Sequence, residues 1–232
     1  MFPFPFGFFG GVSGPPELEL IDNDFSMEFN GVDDYITTGD TVGGGDFSLS
    51  YWVNANGSYA AHTRFHPVSI QPSNNYPNQS IGCLCTKGVT LYPTLQAYDS
   101  TDTTFTTWSA RALDFIGAGW RHVVWTFNTT TKATYVYVDG VVQTFTHYSS
   151  GATTAYLISR GMTYSNLNIG ATWIPSEYFG GDVDEVAVWS RELDATEIET
   201  IYDSTNDNPG KCANLFTGGL GTDLTFWNRM GD

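Results

Sequence analysis

The densest group of side chains able to do chemistry is Asp182, Asp184 and Glu185, inside Gly180-Gly181-Asp182-Val183-Asp184-Glu185-Val186-Ala187-Val188-Trp189. Hydrolysis of a glycosidic bond takes two carboxyl groups projecting together across one sugar, roughly 5–5.5 Å apart in retaining enzymes. Strict strand alternation places Asp182 and Asp184 on one face and turns Glu185 to the other. No Ser-His-Asp order, HExxH pair or phosphate-cradling loop accompanies them, and Gly43-Gly44-Gly45 lacks the strand–loop–helix context that would hold a phosphate. The expectation is therefore a chain that is not an enzyme.

Sugar binding asks for exposed rings beside amides or carboxyls, because a ring stacks on the apolar sugar face while polar groups fix the hydroxyls. Tyr59, His66, Tyr76 and Tyr92 lie among Asn and Gln in the long 54–98 segment, and Trp173 and Tyr178 lie in a later loop. These six are the candidate carbohydrate-binding residues; each is set against the alternative of an aromatic packed within its own loop. His122 sits inside a strand pattern and reads as a sheet residue. Cys83, Cys85 and Cys212 are odd in number, and a lone C-x-C cannot complete a tetrahedral metal site. Buried thiols are the expectation.

Charge narrows the partners. The 232 residues carry 25 acidic against 9 basic side chains, a formal charge of −16, which opposes phosphate backbones and anionic lipid heads. Nucleic acid and membranes are excluded as partners, and no apolar run reaches the ~18 residues of a spanning helix. Residues 1–16 carry Phe2, Phe4, Phe6, Phe8 and Phe9 between prolines and glycines, which permits neither a regular helix nor a central strand. They read as an anchoring arm rather than a secretory signal, since a basic n-region and a small-residue cleavage site are missing.

The elements that must position these groups read as short alternating strands. Phe25–Phe29 runs into Asn30-Gly31, a hairpin-turn signal, and Phe47–Val53 puts Phe47, Leu49, Tyr51 and Val53 on one face with Ser48, Ser50 and Trp52 opposite. Trp120–Phe127 follows, and Thr134–Val138 joins Val141–Phe145 through Asp139-Gly140, a type I′ signal. One helix is expected over 195–204: Asp194 caps it, Glu197 reaches back, and Ile198, Ile201 and Tyr202 share a face. The organisation expected is an arm at 1–16, one all-β domain at 17–208 and an extended tail at 209–232.

Met27–Ile36, Phe47–Val53, Trp120–Val124, Tyr135–Gly140 and the 180–198 segment occur in an order and spacing that resembles concanavalin A-like, laminin-G-type domains. The resemblance covers roughly residues 17–205. It implies a jelly-roll sandwich of two antiparallel sheets with one short C-terminal helix. Glycosidases of this fold carry Glu-x-Asp-x-(x)-Glu on one strand, a pattern this chain lacks. The family often holds a structural calcium ion, and Asp33, Asp34, Asp182 and Asp184 fall where the resemblance would place it; the alternative is that they cap turns.

The closing Trp227-Asn228-Arg229-Met230-Gly231-Asp232 resembles sequences beside such domains in marine phage structural proteins. The function expected is a non-enzymatic virion protein in a capsid decoration, fibre or tail, displayed on the particle's outer surface. Its partners would be other virion proteins and copies of itself, with host-surface glycans as ligands. A free carbohydrate-binding module and a divergent glycoside hydrolase are the alternatives.

Overall fold

In a computed structural model, the structure describes residues 17–39, 45–56, 66–72, 81–86, 91–98, 105–109, 114–131, 133–144, 146–147, 164–171 and 178–231. The Phe-rich arm at 1–16 lies outside them. The strands are β1 Leu20–Asp22, β2 Met27–Asn30, β3 Ile36–Thr38, β4 Phe47–Asn54, β5 Val68–Pro72, β6 Ile81–Thr86, β7 Leu91–Tyr98 and β8 Phe105–Ser109. They continue with β9 Trp120–Asn128, β10 Ala133–Val138, β11 Val141–Val142, β12 Thr146–His147, β13 Tyr164–Ile169 and β14 Gly180–Trp189. Helix α1 spans Ala195–Asn206, and β15 Lys211–Ala213 and β16 Leu224–Asn228 follow.

These strands form two seven-stranded antiparallel sheets, the jelly-roll sandwich the sequence implied. One sheet runs β11-β10-β9-β4-β14-β16 with β2 also on β14, and the other runs β12-β8-β7-β6-β5-β13-β3. Alternation builds the core: Leu49, Tyr51 and Val53 of β4, Val123, Trp125 and Phe127 of β9, and Val183, Val186 and Val188 of β14 all turn between the sheets. Each such side chain contributes roughly 1.5–3 kcal/mol by leaving water. Asp139 (φ 52°) and Gly140 (φ 75°) both take the left-handed backbone that a type I′ turn demands between β10 and β11.

The outer face of the first sheet is buried as well. Val124, Ala187 and Trp189 pack there against Leu193, Ile198 and Ile201 from the α1 region and against Ala213, Leu215 and Leu220 from the C-terminal segment. Helix α1 starts where the sequence places it, with Asp194 Oδ1 accepting from Glu197 N (2.9 Å) and Glu197 Oε2 accepting from Asp194 N (3.0 Å). Arg191 adds a two-pronged bond to the same Glu197 carboxylate, both contacts at 2.7 Å.

Two sequence expectations change. Asn30-Gly31 is not a hairpin turn: β2 pairs with β14 in one sheet and β3 with β13 in the other, so the chain crosses the sandwich here. Asn30 Oδ1 accepts from the backbone N–H groups of Val32 (2.7 Å), Asp33 (3.1 Å) and Asp34 (3.3 Å), folding the crossing onto one side chain. The 209–232 segment is no separate tail. β15 pairs with β1, and β16 pairs with β14 through Val186 to Trp189, on the same side of β14 that β2 occupies at Gly180 to Val183.

Gly170 follows β13 at φ +84°, and a Cβ there would stand 2.2 Å from a ring carbon of the buried Phe29. Gly170→Ala combines left-handed strain with overpacking and should cost roughly 2–4 kcal/mol, read as a lower urea midpoint with an unchanged denaturant slope. A midpoint equal to that of the parent protein would contradict this packing.

Candidate functional site

Beyond the cap of α1, the outer face of the first sheet carries two rows of side chains across its strands. Asp184 of β14, Trp52 of β4 and His122 of β9 stand opposite one another, and next to them stand Asp182, Asn54 and Trp120. Trp52, His122 and Tyr202 of α1 pack mutually, with ring centroids 5.1 Å (Trp52–His122), 5.8 Å (Trp52–Tyr202) and 6.2 Å (His122–Tyr202) apart, forming a cluster that joins sheet to helix. His122 is 1 % exposed, its Nε2 lies 2.8 Å from Ser50 Oγ, and burial pulls its pKa down to about 3. It is a neutral packing residue, as the sequence reading held.

Glu185 overturns strict alternation. The β14–β4 register shifts between Asp184 and Ala187, and Glu185 takes φ 50°, the geometry of a β-bulge that lets two successive residues share a face. Val183 and Val186 both reach the core, while Asp184 and Glu185 both turn outward. The Glu185 carboxylate is nearly dry and accepts from Trp227 Nε1 (2.7 Å), Arg229 Nε (3.4 Å) and Cys212 Sγ (3.3 Å). Burial raises its pKa, against the lowering effect of those three donors. Burial, followed by the adjacent carboxylate, raises the Cys212 thiol, which is consequently an unreactive buried thiol.

Beside this cluster opens a groove of about 400 Å³, within the size range of small-ligand sites. Trp52, Trp120 and Asp184 of the sheet line it, with Asn23, Asp24, Phe25 and Ser26 from the β1–β2 connection, Thr205 and Asn206 from the end of α1, Pro209 and Gly210 from the turn that follows, and Lys211 from β15. Trp120 is 41 % and Phe25 64 % exposed. The β1–β2 wall is tied down by Asn23 N donating to Gly210 O (2.9 Å) and Asn23 Nδ2 donating to Asp184 Oδ2 (3.1 Å). Lys211 pairs with Asp22, whose main-chain oxygen accepts from Arg229. Two aromatic surfaces thus border a cleft of amides and carboxylates.

The sequence-expected site residues meet different fates. His66 is buried at 4 % exposure and faces no solvent. Tyr178 is half-buried and pairs with Tyr35, ring centroids 6.1 Å apart, so a second, smaller aromatic pair forms by the crossing at Asn30. Tyr92 lies on β7, where only the backbone is described, and Tyr59, Tyr76 and Trp173 fall outside the described residues. The groove's own Trp120, Phe25 and Asn206 were missed, because strand-end aromatics and a helix-end amide look like ordinary surface in a linear sequence.

The four aspartates expected around calcium occupy separate hydrogen-bonded settings. Asp33 and Asp34 close the Asn30 turn (Asn30 Nδ2 to Asp33 Oδ1 2.8 Å; Asn30 N to Asp34 Oδ2 3.1 Å). Asp182 Oδ2 takes amide N–H donors from Asn54 (3.0 Å) and Asn56 (2.8 Å), and Asp184 takes Asn23 and the Glu185 N–H (2.8 Å). A calcium ion wants 6–8 oxygens converging on one point. Among the described residues no three acidic, His or Cys side chains converge that way.

A sandwich with this topology narrows the families, and sequence comparison settles the choice: the profile of Laminin_G_3, described as concanavalin A-like lectin/glucanases superfamily, matches residues 30–199. The chain belongs to that family. Solved structures similar to this laminin-G-type domain share its fold at low identity. A native heptameric SAP-like pentraxin from Limulus polyphemus is 15 % identical over 78 % of this chain and 82 % of its own, with a TM-score of 0.55. Tailspike protein 2 of the Escherichia coli O157:H7 bacteriophage CAB120 is 11 % identical, with a TM-score of 0.56. The match covers 95 % of this chain and 30 % of the tailspike. The CBM40 of a Ruminococcus gnavus sialidase, bound to α2,3-sialyllactose, is 11 % identical over 77 % of this chain and 98 % of its own, with a TM-score of 0.51. A search of the curated proteins found no match.

The buried His122 gives the aromatic cluster a pH signature. Unfolded, its imidazole titrates near 6.5; folded, near 3, so stability is complete above 6.5 and falls as the pH drops through that window. Between about pH 6.5 and 5 the parent protein should lose about 2 kcal/mol more than His122→Gln does, read from urea midpoints. Parallel pH profiles for the two proteins would contradict the burial of a neutral His122.

Proposed function

We propose that this laminin-G-type domain is a non-enzymatic glycan-binding module, with the Trp120–Phe25 groove as its binding site. The observation that carries the reading is one cleft bordered by two exposed aromatic side chains and furnished with the Asn23 and Asn206 amides and the Asp24 and Asp184 carboxylates. Rings supply the stacking surface for a pyranose, and amides with carboxylates fix its hydroxyls. The carboxylates beside the groove support binding rather than hydrolysis. Glu185 is turned into a dry cluster and spent on Trp227, Arg229 and Cys212, out of reach of a glycosidic oxygen. Asp184, for its part, holds Asn23 and a backbone N–H.

The setting we propose is the outer surface of a virion, in a capsid decoration, fibre or tail, with host-surface glycans as ligands and further copies of the chain as partners. Support comes from the tailspike whose fold covers nearly all of this chain, from the Phe-rich sequence at 1–16, and from a strongly acidic surface. The heptameric pentraxin, an assembly on the same fold, supports a homo-oligomer.

Trp120→Ala should weaken binding of whichever oligosaccharide an array identifies by at least about tenfold, the loss of about 1.4 kcal/mol, with thermal unfolding nearly unchanged. Titration followed by tryptophan fluorescence reads the first, and a melt reads the second. Undiminished affinity in Trp120→Ala removes the groove from the account, and release of reducing sugar from the bound glycan removes the non-enzymatic reading.

A further inference from the structure

The charge around the groove selects among glycans. Asp24 and Asp184 line it, and Asp22 and Glu185 stand directly behind its walls. Two cations oppose these four acids: Lys211, on the groove wall, is held by the Asp22 carboxylate, and Arg229 is bonded to Glu185 and to the Asp22 main chain. Both cations are thus engaged by the chain's own acids, whereas gripping a carboxylate or sulfate calls for a cation that offers its donors to the ligand. Around this site the whole chain carries −16, so the long-range field also repels anions.

Resting on the reading of this groove as a glycan site, we infer that it is selective for uncharged oligosaccharides, hexoses and N-acetylhexosamines, and rejects sialylated, sulfated and uronic-acid glycans. The selectivity runs opposite to the ligand of the sialidase module that shares the fold, so the ligand class follows from this chain's own wall residues. Rejection arises from like charge: an anionic sugar seated against Trp120 brings its carboxylate near Asp24 and Asp184, and juxtaposed like charges at an interface cost affinity and slow association.

The test is a titration of the intact protein with matched pairs, lactose against 3′-sialyllactose and N-acetyllactosamine against its 6-sulfated form, beside an array covering other neutral and acidic glycans. The neutral member of at least one pair or array class should bind at least about tenfold more tightly than its acidic counterpart. The ratio should shrink in high salt, where the field is screened. Asp24→Asn, a change at an exposed wall residue, should raise acidic-glycan affinity relative to neutral-glycan affinity severalfold, so the readout is the ratio within each matched pair. Equal or tighter binding of the acidic members, lost in Trp120→Ala, overturns the selectivity while leaving the groove as the site. Binding of no glycan in either class overturns both the site and the selectivity.

Discussion

The structure depends on satisfying the buried carboxylate of Glu185. Glu185 lies in the middle of the central strand β14, at a bulge, with almost no exposure. An ionised carboxylate in that place is tolerable only with donors around it, and removing them leaves a buried charge uncompensated. Those donors come from the last twenty residues of the described chain: Cys212, Trp227 and Arg229. This requirement binds the C-terminal segment into the sheet, where β16 continues the edge begun by β2 and Trp189 Nε1 donates to Leu220 O at 2.7 Å. A sandwich that could have ended at its helix instead has a second core beneath that helix.

The groove is a by-product of that second core. Lys211 and Gly210 are fixed because β15 must pair with β1, and β1 in turn delivers Asn23, Asp24 and Phe25 to the opposite wall. A methyl group at Gly231 would stand 3.0 Å from Phe25 Cβ, so the chain's end also backs this aromatic wall. Asp184, brought outward next to the bulged Glu185, anchors Asn23 across the cleft. Sheet, helix and C-terminal segment therefore set the shape of the groove jointly, and its polar groups are pre-positioned before any ligand arrives. Preorganisation of this kind lowers the ordering cost of binding.

Local patterns made much of the fold legible. The alternation of Phe47 to Asn54 and of Trp120 to Asn128, the Asp139-Gly140 turn and the Asp194–Glu197 capping box each carry their own geometry within a few residues. Asn30-Gly31 misled because its turn chemistry serves equally to close a hairpin and to cap a crossing, and only the sheet joined by the next strand decides. The bulge had a signal that strict alternation overrode: Val183, Val186 and Val188 can all face inward only if Asp184 and Glu185 share the space of one residue. The groove was not legible, since Phe25, Trp52, Trp120 and Asn206 come from four distant segments and converge only through sheet register and helix placement.

The central claim is that a glycan sits between Trp120 and Phe25, and the most direct measurement is ligand mapping by two-dimensional NMR on the labelled full chain. Addition of a neutral oligosaccharide should move the Trp120 indole N–H and the backbone amides of residues 23–26 and 205–211, leaving the far sheet unperturbed. Shifts centred on Tyr35 and Tyr178 would contradict the account, because the glycan would then occupy the other aromatic pair and the groove would be an empty consequence of the C-terminal fold.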